Sequence, residues 1–443
     1  MWIKNLLKLV LSAIYLISNF SFADQFHYHN VLIGDRAVGL GGAYAGVSDD
    51  ASGVYYNPAG LAFALSSDIS GSANAFYSKK YTYKKTIGNA NYVENSSGSL
   101  PSFFGGIQKL EKTVPGLVAG FGLYSTDSEL RDQNDVFDNL PYGATTIRRL
   151  HRAQNMRAST FNYSAAAALR VSGTFAVGMA LSYFTVDELF QDYQDISSYE
   201  TGTNLLADNS QNVRQHLTAN GFEPTIGMQV SVTSKLSLGF VLKKGFYISQ
   251  KYENNIESSF IQYGVPRDEV VAAPGEVQQG SATRRTISSY KDDEPLGTMP
   301  LSARLGLALF ASTRLLWTFD MTYFEGVDFS ASKLLKQYQK EPVMNLATGA
   351  EYYLTPSIPL RLGLFTNNDA RPEVESNKKN QADHIDFIGG TVFLAWTQPN
   401  SQIALGVVQQ NGEGKAQKVG GVVDIQDVEA TSTTIAFSAT HSF

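Results

Sequence analysis

Residues 174–185 read TFAVGMALSYFT, with Phe175, Val177, Met179, Leu181 and Tyr183 at every second position and Thr174, Ala176, Gly178, Ala180 and Ser182 between them. Successive side chains of a strand point to opposite faces, so this strand has one greasy wall and one small, polar wall. The same period recurs in Leu236, Leu238, Phe240 and Leu242 against Ser237, Gly239, Val241 and Lys243, and in Leu301, Ala303, Leu305, Leu307 and Leu309 against Ser302, Arg304, Gly306 and Ala308. It recurs again in Leu315, Trp317, Phe319, Met321 and Tyr323 against Leu316, Thr318, Asp320 and Thr322. Each segment has about ten residues, the length a tilted strand needs to cross a bilayer. A charge such as Asp320 in mid-strand is costly against lipid and cheap against a wet or ion-paired lumen.

Outward from these strands, the connections alternate between short and long. Short ones fall near Glu111–Pro115, Val171–Gly173, Thr233–Ser234, Ala311–Thr313, Thr355–Pro359 and Gln398–Asn400. Long polar ones run roughly over 79–99, 126–155, 188–222, 249–298, 326–342, 368–383 and 411–431. A soluble sandwich has no reason to gather its long loops at one end, whereas a transmembrane barrel has short periplasmic turns and longer external loops. Six turns and seven loops predict fourteen strands over residues 68–443, an all-β, antiparallel transmembrane β-barrel. The even count leaves the chain before the barrel and Phe443 on the same, periplasmic side.

The first residues carry Lys4 and Lys8, an apolar run from Leu9 to Ile17, and then Ser21-Phe22-Ala23, which reads as a signal peptide over 1–23. That run is too short to span a bilayer as a helix. The chain has no cysteine, which a closed barrel does not need, and 38 Gly, 23 Tyr and 26 Phe supply close packing and interface residues. A formal charge of −6 speaks against nucleic acid as a partner. His27 and His29 are too few for a metal site, no Gly-x-Ser-x-Gly elbow occurs, and neither an enzyme nor a cofactor is expected.

Residues 24–67 do not alternate. They hold RAVGLGGAYAGVSDDASGVYYNPAGLA, in which clustered glycines permit close backbone approach and Pro58 restricts Asn57. Gly39-Leu40-Gly41 is no dinucleotide loop, because Tyr44 stands where the third glycine belongs. A compact plug is expected. The string resembles the N-terminal hatch of the long-chain fatty-acid transporter family of outer-membrane proteins, the FadL/TodX type, through Asn57-Pro58-Ala59 and the glycines upstream, Gly41 and Gly42 among them. Leu117–Ser125 looks like that family's third strand, and Pro300–Gly326 and Leu346–Phe365 look like its later hairpins. The final strand, with Ile435, Phe437 and Ala439 on the face of the terminal Phe443, resembles the assembly signal of outer-membrane barrels, although His441 interrupts it.

The resemblance implies a monomeric bacterial outer-membrane barrel, plugged by a hatch, that takes long-chain fatty acids or other hydrophobic molecules from outside and releases them sideways into the membrane lipid. Some relatives with this hatch act in secretion or surface organisation, so a non-transporting barrel is the alternative. In the family, a loop placed like 126–155 offers an apolar landing groove, here carrying Leu130, Val136, Phe137 and Leu140. A carboxylate ligand calls for an inward cation, and parity offers Arg170, Lys243, Arg304 and Arg361. Arg304 is expected opposite or diagonal to Asp320 and Arg361 near Glu351; Lys243, with Gly227 as neighbour and no acid across its hairpin, leads the candidates. Arg148, Arg149, His151, Arg152 and Arg157 read as a rim facing anionic lipid headgroups.

Overall fold

The computed structural model describes residues 26–443 except 88–89, 143–144, 201–205, 264–276, 279–280, 293–297, 328–338, 380 and 419–423. The expected signal peptide lies outside the described residues. One antiparallel sheet contains β1 (Asp68–Ile87), β2 (Ala90–Lys109), β3 (Leu117–Tyr142), β4 (Thr145–Arg170), β5 (Phe175–Glu200), β6 (Leu206–Ser231), β7 (Leu236–Tyr263), β8 (Val277–Gln278) and β9 (Ser281–Asp292). It continues with β10 (Thr298–Phe310), β11 (Leu315–Phe324), β12 (Val343–Thr355), β13 (Ile358–Asn367), β14 (His384–Gln398), β15 (Ser401–Ala416) and β16 (Gln426–Ser442). Fourteen of these form a closed wall, sealed by β1 on β16 from Asp68↔Ser442 to Tyr83↔Val428 and by β7 on β10. β8 and β9 stand outside the wall and extend the outer part of β7.

All six short turns lie where the sequence places them, at 110–116, 171–174, 232–235, 311–314, 356–357 and 399–400. The long loops are a correction: 79–99, 126–155 and 188–222 are mostly strand. β3 to β6 each have 26 residues and β7 has 28, well beyond the ten or so a bilayer requires. The surplus amounts to on the order of 50 Å of sheet standing outside. These outer halves pair residue by residue, for example Gln133↔Gln154 and Gln194↔Gln211, but polar side chains on both faces erase the hydrophobic contrast that marks a strand.

The greasy face of each strand looks outward. Met179 is 65% exposed and Ile388 68%, while their neighbours Gly178 and Gly389 turn inward, so the outer surface is a lipid-facing belt. Tyr163, Tyr183 and Phe222 stand side by side on β4, β5 and β6 with ring centroids 6.3 and 5.5 Å apart, an aromatic girdle at the outer edge of that belt.

Residues 26–67 contain two single-turn helices, α1 (Arg36–Gly39) and α2 (Gly53–Tyr56), and a 3-10 helix over Pro58–Phe63. The segment lies inside the wall. Its start bonds to the external β13–β14 connection, Ala370 N donating to Phe26 O at 3.1 Å, and its end meets the periplasmic rim, where Arg170 donates to Ala62 O at 2.6 Å.

Candidate functional site

Backbone of the inner segment rests on glycines of the wall. A Cβ on Gly178 would lie 2.4 Å from Pro58, one on Gly239 2.0 Å from Ala45 O, and one on Gly363 2.2 Å from Gly41 N. Three pairs of directly facing glycines, Gly178↔Gly227, Gly239↔Gly306 and Gly349↔Gly363, form a collar at this level. Gly41 and Gly42 have φ of +65° and +82°, a left-handed backbone that suits glycine, and Gly41 uses it to approach Gly363.

Asn57 caps the 3-10 helix, its Oδ1 accepting from Ala59 N at 3.1 Å, with Pro58 at the first helical position. Its amide nitrogen donates to Ala45 O at 2.8 Å and to Met228 O of β6 at 3.1 Å. One fully buried side chain thus ties two halves of the inner segment to each other and to the wall.

Two charged clusters hold the opposite side. Arg36 of α1 reaches Glu351 of β12 at 2.7 Å and Asp49 at 3.0 Å, while Arg361 of β13 reaches Glu351 at 2.8 Å and Asp35 at 3.0 Å. Gln402 of β15 donates a hydrogen bond to Asp35. The carboxylate of Asp320 on β11 accepts the backbone N–H groups of Tyr44 at 3.0 Å and Ala45 at 2.9 Å. Buried charges require such partners, and here they come equally from wall and inner segment.

On the outer side of this segment is a cavity of about 150 Å³. Its rings are Tyr28, Tyr55, Tyr56, Phe184, Tyr247 and Phe324. Its ionic groups are Lys243, Arg304, Lys340, Asp127 and Glu223, and Thr126 with Asp127 brings it to β3. That contact is at a break in the wall. The β2–β3 ladder runs from Lys109↔Val118 to Phe103↔Tyr124 and stops, although both strands continue, and β3 has a register shift between Ser125 and Asp127. Above the break side chains reach across to β3: Tyr77 Oη of β1 accepts from Leu130 N at 3.0 Å, and Ser96 of β2 donates to Leu130 O at 2.8 Å.

The expected cations separate. Lys243 and Arg304 line the cavity; Arg361 and Arg170 do not. Lys243 faces Thr225, not Gly227, and pairs with Glu223 at 3.3 Å, because the β6–β7 turn is centred so that Gly227 meets Val241. Arg304 lies opposite Thr322 and diagonal to Asp320, as register requires. Arg361 faces Glu351 and is consumed by its ion pairs, and Arg170 clamps the end of the inner segment, its guanidinium over the Phe63 ring at 5.1 Å. Phe137 packs near Tyr92 at 6.2 Å in the outer sheet, and Leu140 lies beyond it on β3, so neither lines the cavity.

Of the basic rim, Arg152 turns inward to Asp192 at 3.0 Å, and Arg149 and Arg157 pair with Asp138 and Asp187. His27 Nε2 is 2.7 Å from Ile385 O, whereas His29 Nδ1 is 3.3 Å from Thr366 O. Burial and the charge of Arg304 push the His29 imidazole down to about 3. Above the bilayer, Arg131 binds Glu94 at 2.8 Å and Glu129 at 2.7 Å, and Lys418 reaches Glu94 at 3.0 Å. Burial alone would raise the Glu94 carboxyl; Arg131, Lys418 and Arg152 overcome it and hold the group at about 2. The charges of this outer cluster and the latch role of Asp320 escape sequence reading, because Asp320 meets Tyr44 across 276 residues and Arg131 meets Glu94 across 37, through registers that neither strand reveals alone.

No protein-family model matches the sequence, and no curated protein matches it. Solved structures do. A Pseudomonas aeruginosa FadL homologue aligns with a TM-score of 0.59 at 14% identity, covering 94% of this chain and 100% of the other. The CymD monoaromatic hydrocarbon channel gives 0.59 at 14%, covering 94% and 99%, and the P. putida toluene transporter TodX gives 0.60 at 10%, covering 94% and 99%. By its fold, therefore, this chain is a closed fourteen-stranded antiparallel β-barrel with an apolar outer belt, built like the FadL-homologue and TodX structures.

Proposed function

We propose that the protein is a passive outer-membrane channel for hydrophobic small molecules, with residues 26–67 acting as the hatch. The observation that carries this reading is the continuity between the cavity and the wall break: Thr126 and Asp127 line the one and flank the other. A ligand bound on the hatch has a sideways route between β2 and β3 that crosses side chains and no backbone ladder. The likeness in fold to a toluene transporter and a hydrocarbon channel supports the same class of cargo. Long-chain fatty acids, the cargo implied by the family resemblance, would enter this cavity by one end of the chain only, since ~150 Å³ is the size of a cavity that holds a single benzene ring. Passage needs no chemistry; a hatch that shifts on its glycine collar when ligand binds is sufficient. Gly41, Gly42 and the Asn57-Pro58-Ala59 segment would be its moving parts.

The test is a reversible stitch across the break. Ser102 and Ser125 follow the last ladder pair, and the chain has no cysteine to interfere. The Ser102→Cys/Ser125→Cys disulfide is expected to reduce toluene or fatty-acid uptake at least tenfold in cells, with recovery on reduction. Full uptake through the oxidised, correctly assembled barrel would reject the lateral route, and no uptake by the unmodified protein would leave the non-transporting alternative.

A further inference from the structure

We propose that the cavity selects an aromatic ring carrying a carboxylate, with Arg304 as the anion's partner; this rests on the channel reading above and names its cargo. Arg304 is 9% exposed, and its nitrogens have no carboxylate oxygen within 4.0 Å among the described residues. Its Nε donates to Thr322 Oγ1 at 3.0 Å, its guanidinium stands 5.3 Å from the centre of the Tyr56 ring, and its Nη1 has no hydrogen-bond partner. A buried guanidinium with an unpartnered Nη1 and no carboxylate in reach is an incomplete ion pair. Asp320, diagonal to it on the wall, is not within ion-pair distance of the guanidinium: its Oδ2 accepts from Tyr44 and Ala45, and its Oδ1 is buried with no hydrogen-bond partner.

The rest of the cavity fits the same ligand. Lys243 is neutralised by Glu223 and stacked 4.2 Å over Tyr55, so it adds no free charge to the site. The volume of about 150 Å³ accepts one ring, and the rings on every side of it offer stacking and edge contacts to an aryl body. A guanidinium binds a carboxylate through two parallel N–H···O bonds, which fixes the ring's orientation as well as its charge.

The experiment is calorimetric titration of the purified full-length barrel in detergent with 4-ethylbenzoate, neutral 4-ethyltoluene and decanoate, comparing the native protein with Arg304→Met and Arg304→Lys. The aryl carboxylate should bind the native protein at least tenfold more tightly than the neutral ring, lose that advantage in Arg304→Met and keep part of it in Arg304→Lys. Ethyltoluene should bind all three proteins alike, which also shows that the variants are folded. Equal binding of acid and neutral ring, or an acid affinity unchanged in Arg304→Met, overturns the proposal while leaving a hydrophobic channel. Arg304-dependent binding of decanoate without the aryl acid overturns the ring and keeps the anion. Failure of every ligand to bind the native protein rejects the channel reading and the proposal with it.

Discussion

Glu351 is 1% exposed and shared by two arginines, one from the inner segment and one from the wall. Glu351→Gln leaves both guanidiniums short of a carboxylate, and removing one partner of a buried pair costs about 3–5 kcal/mol. That loss falls on the contact between segment and wall, so planar-bilayer recordings should show raised or flickering ion conductance at an unaltered heat-modifiable barrel. His29 gives a pH signature. Its imidazole titrates near 3 when seated and near 6.5 when released, so the released segment binds more protons between those values. Seating is then fully stable above pH 6.5 and weakens progressively as pH falls toward 3. Protease protection of residues 26–67 should decline between pH 7 and 5, and His29→Gln should flatten that decline. Of these residues, the Arg361–Glu351 pair is legible from a two-residue turn and strand parity, since both fix the register. Lys243 is not: an error of one residue in the centre of its turn shifts the facing residue by two, and hides Glu223.

At the scale of strands, legibility follows chemical contrast. In the lipid belt every second residue is large and apolar, and the turns, strand count and facing are all readable. In the outer halves of β3 to β7 both faces are polar, so backbone pairing continues with no pattern to announce it. The β2–β3 break is likewise invisible in sequence, because it is a property of how two neighbouring strands pair and not of either alone. The alternation of turn and strand does fix sidedness. β9 belongs outside and the β4–β5 turn inside, so a membrane-impermeant thiol reagent should label Ser289→Cys in intact cells and reach Ser172→Cys only after permeabilisation. The reverse pattern would invert the barrel.

The molecule as a whole is a wall whose first strand pairs with its last, Asp68 with Ser442, around a segment that precedes both. The closed wall and the enclosed segment are expected from the even strand count and the glycine-rich stretch, whereas the collar of facing glycines depends on registers no single strand reveals. That collar constrains how the protein is made. The segment's first described residues are fastened near the external β13–β14 connection, beyond the wall glycines Gly178, Gly239 and Gly363, against which the seated segment packs too closely for a Cβ. A finished cylinder would have to be threaded from below by Phe26 through His29, past those glycines, with buried charges exposed on the way. Glu351, Arg361 and Asp320, which receive the segment, belong to the second half of the chain and are the later ones to emerge during synthesis. A sheet that curls around its own beginning before β1 zips onto β16 avoids that passage, so an assembly intermediate trapped with the β1–β16 seam open should already protect residues 26–67 from protease.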